Sequence, residues 1–562
     1  MNIQGKRVNY SGRSVIDPDM TLEFGQVRIP RDKSLTLTVP VTVTDNNIEM
    51  IVRMLKAGKI NYIEKNHTGR KIRMKGDSIY STVVEVGDIV HRHLMNGDVV
   101  AVNRQPTLHR QGIMGMDVVI GEQKSMGLNL LSTTPMNADF DGDEANIHVP
   151  QTEEAQRELR TIMHQRTCLM SGQTNRPMVG EVLNTVVGSF DLTNDEIFIN
   201  VRNWSDYMMV LHQNERPQLD DLEYRLEEFS MGRRTITKNG EEIVVYPGKA
   251  LFSSVLPLDF YYDRSGVLIQ KGVLIKGIVN KSHIGTSGNS MHQYMDMESA
   301  SNFLSDLNII ANLWQSREHP VTVGFQECFN TDPLFTRKIK AIVDRARRDA
   351  IVLGVDPEDP FELERRNRDK LIIMGKAFTE TATLTTSMID KKSGLYRMNK
   401  SGAKGADFNL AQVRGSVGQQ LIKGGLPPRH LNRGERTMAY FRPGELDPRA
   451  HGFVPKSFSQ GLDVYDFIFH AAGSREGLLD TATKTAVVGQ ARNEMSKIFE
   501  NVKVVTDGSI RNESNRLMDY CAWTTGLNPE NLINVDMKGR QISFFVDLNV
   551  EAKKLNAKYG YY

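Results

Sequence analysis

The sequence predicts an α+β protein with several domains. Its 562 residues are enough for roughly three or four domains of about 150 residues each. Short segments that alternate polar and apolar residues occur before residue 150, and long segments with helical spacing cover 333–390 and 463–499. β-structure therefore dominates the first part of the expected fold and helices dominate the later part.

Composition excludes several classes of protein. The chain is 40% hydrophobic and 25% charged, with a net charge of +2, which is typical of a soluble globular protein and does not by itself indicate a nucleic-acid partner. No run of about 18 apolar residues predicts a membrane span, and the N-terminus lacks the apolar core of a secretory signal. The three cysteines form no C-x-x-C pair, so neither disulfides nor zinc are indicated, and a reducing compartment is expected.

The first 160 residues read as short strands around an acidic segment. Alternation predicts strands at 6–11, 26–29, 83–86 and 99–102, and apolar spacing predicts a short helix at 46–57. Strands on both sides of the acidic segment imply a compact β-barrel with that segment at one end.

Later elements are mostly helical. Thr152 is a good N-cap for a helix over 152–163. Two similar segments, 266–269 and 272–275, predict a hairpin, and 299–314 reads as a helix. The many charges of 333–390 fit a helical hairpin, and no proline interrupts 463–499, which predicts one helix of about 55 Å despite three internal glycines.

The acidic segment carries the strongest chemical signal. Asp139, Asp141 and Asp143 stand at alternate positions, so an extended or looping backbone can direct the three carboxylates to one point while Phe140 faces the protein. Gly142 permits a sharp bend. Three close carboxylates repel one another, and a hard divalent cation such as Mg²⁺ removes that cost.

The residues alone leave other interpretations of this segment open. A solvated acidic turn is common, and a D-x-D glycosyltransferase site fits the spacing as well. An EF-hand does not fit, because positions six and twelve from Asp139 are Glu144 and Pro150 instead of glycine and glutamate.

Four motifs resemble segments of the largest subunit of multisubunit DNA-directed RNA polymerases and occur in the same order along the chain. Asn137–Asp143 matches the signature N-A-D-F-D-G-D at every position, and Asn103–His109 resembles N-R-Q-P-[ST]-L-H. The Gly-rich segment 400–424 and the long helical segment 463–499 resemble two further family segments, the latter being the bridge helix. The wording of the motifs is closer to eukaryotic, archaeal and giant-virus enzymes than to bacterial ones.

The resemblance implies five segments. They are a double-psi β-barrel active-site domain (1–160), a mixed pore domain (161–325), helices of the funnel with the Gly-rich segment that borders the nucleotide channel (326–462), the bridge helix (463–500), and the incomplete start of a cleft domain (501–562). The clamp that precedes these segments in the family and the mobile trigger segment that follows are not found, so we expect a split-gene product or a fragment.

The resemblance also implies roles for individual residues. Asp139, Asp141 and Asp143 would bind the Mg²⁺ that activates the RNA 3′-hydroxyl, and a second Mg²⁺ would arrive with the triphosphate in a two-metal nucleotidyl transfer. Arg104, Gln105 and Asn137 would contact the incoming nucleotide, with Arg104 and Asn137 near its ribose; an Arg–carboxylate pair inside the barrel is the alternative for Arg104. Two further sets are expected: Thr485 and Ala486 at the nascent base pair, and Lys6, Arg7, Arg13 and Lys484 along nucleic acid.

The expected function is templated RNA synthesis within an assembly. Expected partners are the second-largest and other polymerase subunits, the DNA template, the RNA transcript and ribonucleoside triphosphates, in the nucleus or, for a viral protein, in the host cell or virion. Two alternatives remain: a single-chain RNA-dependent polymerase, and a non-catalytic assembly subunit. Val487, Val488 and Gln490 depart from the family pattern, which usually has two polar residues and an aromatic there.

Overall fold

The computed structural model describes residues 5–76, 78–171, 176–212, 219, 221–238, 241–329, 332–354, 359–520, 533–537, 540–544, 552 and 555. The chain forms two compact units, one of Met1–His319 with Ala522–Tyr562 and the other of Pro320–Cys521. Among the described residues, no helix combines the length and apolar character needed to cross a bilayer.

The first unit contains most of the strands. Before residue 150 they are β1 (Ser11–Pro18), β2 (Gln26–Pro30), β3 (Thr38–Thr42), β4 (Ile60–Glu64), β5 (Lys71–Arg73), β6 (Ile89–His93), β7 (Val99–Asn103), β8 (Ile113–Gly121), β9 (Met126–Leu128) and β10 (Glu144–His148). The helices of this part are α1 (Arg31–Thr36), α2 (Ile48–Lys56), α3 (Ser78–Ser81) and α4 (Thr133–Met136).

The rest of the first unit mixes both types. Its helices are α5 (Glu153–Thr161), α6 (Asn184–Leu192), α7 (Val201–His212), α8 (Leu222–Glu228), α9 (Gly248–Ser253), α10 (Lys281–Ile284) and α11 (Met297–Arg317). Its strands are β11 (Phe198–Asn200), β12 (Arg234–Lys238), β13 (Glu241–Pro247), β14 (Tyr262–Arg264), β15 (Val267–Gln270) and β16 (Val273–Lys276).

The second unit is mainly helical. Its helices are α12 (Pro333–Val352), α13 (Pro360–Ser387), α14 (Gly394–Ser401), α15 (Asp407–Arg414) and α16 (Val464–Ile498). The remaining strands of the chain are β17 (Gly418–Gln419), β18 (Phe453–Val454), β19 (Lys503–Val504), β20 (Ser509–Arg511), β21 (Leu517–Tyr520), β22 (Ile533–Met537) and β23 (Arg540–Phe544).

Six strands close into a barrel in the order β1-β10-β7-β8-β2-β9. The pairs β1–β9 and β2–β8 are parallel and the other pairs are antiparallel. The barrel is filled by apolar side chains that include Ile29, Val100, Met116 and Ile147, all fully or almost fully buried. The structure therefore confirms a closed barrel around the acidic segment, which joins α4 to β10.

Two strand predictions in this unit were wrong. Residues 6–10 precede β1, and Val8 is 52% exposed. The prediction failed because an alternating pattern does not ensure that a segment finds a partner strand. Residues 83–86 are also outside any strand, although Val84 packs into the core of the four-stranded sheet β3-β6-β4-β5. The predicted helices at 46–57, 152–163 and 299–314 are confirmed as α2, α5 and α11, and Thr152 caps α5 by accepting from the Ala155 N–H.

Helices α12 and α13 pack against each other through a shared apolar cluster that includes Ile339, Val343, Met374 and Ala377. This confirms the predicted helical pair in 333–390. Helix α16 runs for 35 residues without a break, as expected from 463–499. From Gly477 to Met495 every side chain of α16 is exposed in the chain as described.

Candidate active site

The acidic loop is set by the residue that ends helix α4. Asn137 has φ 48°, in the left-handed region that asparagine tolerates better than most residues, and so stops the helix. The Ala138 N–H donates to the Thr133 carbonyl at 2.9 Å. The chain then turns through 139–143 and enters β10 at Glu144, so the loop is anchored at both ends by the barrel domain.

The three predicted carboxylates come together in this loop. Asp139, Asp141 and Asp143 each offer an oxygen, and these oxygens all lie within 4.8 Å of one another. Phe140 packs against the barrel core between them, as the alternation predicted. Gly142 has φ 118°, a backbone conformation that is strained for residues with a Cβ atom, which explains the glycine at that turn.

The electrostatics of the trio are asymmetric. Hydrogen bonding and repulsion from Asp141 raise the pKa of Asp139 above its ordinary value. Hydrogen bonds from Arg104 and from the Asp139 N–H instead lower the pKa of Asp143. The donor set is three carboxylates close enough to share one ion, and the repulsion at Asp139 is a cost that a cation would remove, so these residues fit a hard divalent metal.

Arg104 follows β7 and reaches the acidic loop. Its Nε lies 2.7 Å from Asp143 Oδ2, and the two side chains are 18% and 20% exposed. Asp143 Oδ2 also accepts the Asp139 N–H at 3.1 Å. The structure thus contains the Arg–carboxylate pair that the sequence left as an alternative, and it places the guanidinium beside the trio. Gln105 is exposed next to it.

The predicted basic residues near the N-terminus lie on the surface. Lys6 and Arg7 are exposed before β1 begins. Arg13 is on β1, and its Nε donates to Glu144 Oε2 at 2.6 Å in an exposed pair next to the acidic loop. Sequence reasoning missed Glu144; the signal available was its position directly after the aspartates.

The predicted residues of the second unit lie on α16. Lys484 forms an i,i+4 ion pair with Asp480 and is 72% exposed. The Thr485 hydroxyl donates to the Ala482 carbonyl at 2.8 Å, and Ala486 is exposed beside it. These three side chains are therefore accessible in the described chain.

The Gly-rich segment 400–424 contacts α16 near its start. Gln420 Oε1 lies 3.0 Å from His470 Nδ1, and the Lys423 N–H donates to the Glu476 carboxylate at 2.7 Å. A Cβ at Gly473 would be 3.2 Å from the Leu421 carbonyl oxygen, whereas one at Gly477 would meet open space. Close approach thus explains one of the three glycines.

A charged cluster that sequence reasoning missed anchors the first turn of α16. Arg449 donates to Asp463 and Asp466 at 2.9 Å each, and Lys456 donates to Asp463 at 2.7 Å. Arg449 also stacks over the Tyr465 ring at 4.6 Å. The only sequence signal was an aspartate at the expected start of the helix, since the basic partners come from a separate loop.

Comparisons with known proteins identify four consecutive family domains. Residues 5–165 match RNA polymerase Rpb1 domain 2, residues 168–328 domain 3, residues 364–454 domain 4 and residues 461–528 domain 5. Together these matches cover the acidic loop, the Gly-rich segment and α16.

Curated relatives carry corresponding names. The chain is 26% identical to a probable DNA-directed RNA polymerase II subunit RPB1 homolog of Invertebrate iridescent virus 6. The match covers 96% of this chain and 61% of that protein. It is 29% identical to the DNA-directed RNA polymerase subunit Rpo1N of Halobacterium salinarum, with a match that covers 94% of this chain and 55% of that subunit. For Rpo1N of Methanococcus vannielii the identity is 30%, over 92% of this chain and 61% of the relative. The chain therefore spans about three-fifths of the length of these relatives.

Proposed function

The chain belongs to the family of largest subunits of multisubunit DNA-directed RNA polymerases, and from this we propose that it supplies the catalytic centre of such an enzyme. The reaction is the transfer of a nucleotide from a ribonucleoside triphosphate to the 3′ end of RNA on a DNA template. The observation that carries the proposal is the convergence of Asp139, Asp141 and Asp143 within 4.8 Å.

These three aspartates would hold Mg²⁺, because each offers an oxygen at the shared point and carboxylate oxygens are the ligands this ion prefers. When bound, this ion would activate the RNA 3′-hydroxyl, and with a second Mg²⁺ that arrives with the triphosphate it would stabilise charge on the attacking and leaving oxygens of phosphoryl transfer. Asp143 Oδ2 accepts a hydrogen bond from Arg104, and the other carboxylate oxygen of Asp143 would then be the metal ligand. The Arg104 pair thus fixes the direction of one carboxylate.

The nucleotide would be held by residues around that point. Arg104 is a fixed donor within reach of the trio, and a ribose 2′-hydroxyl can accept from it while a deoxyribose cannot. Asn137, at the end of α4, and Gln105, next to Arg104 in the sequence, are both exposed. Lys6, Arg7 and Arg13 would hold template phosphates, since exposed cations bind phosphates without reading sequence.

Finer assignments of the fold belong to the same proposal. The closed six-stranded barrel is a double-psi β-barrel, α12 and α13 form the funnel, and α16 is the bridge helix, with Thr485, Ala486 and Lys484 directed to nucleic acid. The exposed stretch of α16 from Gly477 to Met495 supports this, because a helical segment without a covered face requires partners.

The proposed partners follow from the relatives, which are named as polymerase subunits. We propose that this chain assembles with a second-largest subunit and others, binds DNA and RNA there, and works in the nucleus or, for a virus, in the host cell or virion.

Replacement of Asp141 tests the proposal. In the assembled enzyme, Asp141→Ala should abolish nucleotide addition, because two carboxylates hold the ion too weakly, while assembly is unchanged. Glu122→Ala is the matched control, since Glu122 is an exposed carboxylate whose ion pair in the described part of the chain is with Arg31 on the surface. Retained elongation by Asp141→Ala would support a non-catalytic assembly role instead.

A further inference from the structure

The unit Pro320–Cys521 contains a small cavity of about 190 Å³ beside α12. Phe329 and Phe335 form its apolar side, and Thr336, Ser459 and Gln460 add neutral polar groups. Arg414, the last residue of α15, supplies the one charged side chain among the described residues of the lining. The cavity thus combines aromatic surface with a single positive charge.

The Arg414 side chain makes no hydrogen bond or ion pair with any other described residue. Its Nε is buried without a partner, and burial lowers the pKa of the guanidinium. Glu327 is an acid close enough to act on it, but each oxygen of Glu327 already accepts a backbone N–H, from Gly324 at 3.4 Å and Leu395 at 3.2 Å. The guanidinium therefore lines the cavity without a direct hydrogen bond to the nearby Glu327 carboxylate or to another described residue.

A partly buried cation without a direct hydrogen-bond partner has a cost. Removing a guanidinium from water is unfavourable unless hydrogen-bond acceptors replace the water. The carboxyl end of α15 offsets part of this cost through its partial negative charge. The residues that follow Phe329 in the sequence, Asn330 and Thr331, carry no charge. A bound anion would supply what the described protein lacks.

We propose that this cavity binds a small-molecule carboxylate attached to an apolar group, with the carboxylate on Arg414 and the apolar group between Phe329 and Phe335. A planar guanidinium accepts a carboxylate through two parallel hydrogen bonds. The volume also suits such a ligand, because a cavity of about 150 Å³ can hold benzene.

The charge of the lining favours a carboxylate over a phosphate. One guanidinium and three neutral polar residues balance a single negative charge, whereas a phosphate near neutral pH carries more than one. The aromatic side of the cavity would also leave phosphate oxygens without donors. Both anions bind arginine, so both belong in the experiment.

Benzoate is a suitable probe. Binding of benzoate to the full chain can be followed by ligand-observed NMR and by the shift in melting temperature. A ligand of about nine non-hydrogen atoms in a good site is expected to bind with a dissociation constant on the order of 1 mM. Saturable binding should disappear in Arg414→Gln and remain in Arg348→Gln, a matched control on the exposed side of α12.

A second measurement guards against misfolding. Without ligand, Arg414→Gln should melt at the same temperature as wild type or above it, because it removes an unpaired cation. Equal benzoate binding by wild type and Arg414→Gln, or no saturable binding at about ten times the expected dissociation constant, would overturn the proposal. Tighter binding of inorganic phosphate than of benzoate would overturn the carboxylate assignment, and binding of a Glu-Phe peptide but not of benzoate would overturn the small-molecule assignment.

Discussion

At the scale of single residues, one loop gives two identical side chains, those of Asp139 and Asp143, different properties. Asp139 and Asp143 are four residues apart, yet the pKa of the first is raised and that of the second is lowered. The hydrogen bond from Arg104 lowers the pKa of Asp143, whereas hydrogen bonding and repulsion from Asp141 raise the pKa of Asp139. The motif spacing predicted the convergence of the aspartates. It could not predict which aspartate has the lower pKa, because Arg104 comes from a different part of the sequence.

The role of Arg104 can be tested by its effect on the choice between ribonucleotides and deoxyribonucleotides. Arg104→Lys keeps the charge beside Asp143 but loses the planar, multi-donor guanidinium. We expect kcat/KM for ribonucleotides to fall by about 10- to 100-fold, the size of a lost charged hydrogen bond, and the value for deoxyribonucleotides to change little. Parallel assays of ATP and dATP incorporation by the assembled enzyme measure both.

The matched control for Arg104→Lys is Arg31→Lys, which alters an exposed arginine paired with Glu122 on the surface and should leave both rates unchanged. If Arg104→Lys slows ATP and dATP incorporation by the same factor, Arg104 serves as the partner of Asp143 and does not select the sugar.

At the scale of elements, local patterns predicted helices better than strand partners. The expected helices at 46–57, 152–163 and 299–314 agree with α2, α5 and α11, because each pattern is contained in its own segment. Barrel closure instead depends on pairs such as Ser11 with His148, which are far apart in the sequence. For the same reason the Arg449 cluster at the start of α16 could not be read from spacing.

The packing of α6 against α11 contains a buried acid that the sequence did not reveal. Gly188 lies so close to the Ala311 carbonyl that a Cβ would be 2.7 Å from its oxygen. Asn308 Nδ2 donates to Glu181 Oε2 and to Thr185 Oγ1 at 3.1 Å each. Glu181 is fully buried, and burial raises its pKa to about 8. Burial therefore favours the protonated form of this carboxyl group at neutral pH.

This acid predicts a dependence of stability on pH. Because the pKa of Glu181 is higher in the folded chain than in the unfolded one, its contribution is complete below about pH 4.5 and is lost as pH rises towards 8. Glu181→Gln removes the ionisation and keeps the size. The gain in melting temperature over wild type should be small at pH 5 and large at pH 8.5, reflecting a penalty on the order of 4 kcal/mol.

The exposed Glu196→Gln is the control for Glu181→Gln and should show no pH-dependent difference. His292 is in the same unit, but burial lowers its pKa to about 4, so its effect on stability appears only below pH 6.5. That effect is the same in wild type and in Glu181→Gln. A constant difference between Glu181→Gln and wild type from pH 5 to 8.5 would contradict a protonated Glu181.

At the scale of the whole molecule, metal binding and catalysis have different requirements. The trio belongs to one loop of the first unit and is anchored by its own barrel. The chain, however, spans between 55% and 62% of the length of its relatives, and α16 exposes large apolar side chains such as Leu478 and Val487. Local chemistry should therefore be present in this chain, and templated synthesis should need partners.

The isolated chain should bind a divalent metal without extending RNA. Mn²⁺, a paramagnetic substitute for Mg²⁺ with the same preference for oxygen ligands, allows binding to be followed by electron paramagnetic resonance. We expect a site that Asp141→Ala removes and Glu122→Ala retains, together with no primer extension until the other subunits are added. Extension by the isolated chain would show that the exposed surface of α16 needs no partner for catalysis. Absence of Mn²⁺ binding to a folded chain, with activity in the assembly, would instead mean that another subunit completes the metal site.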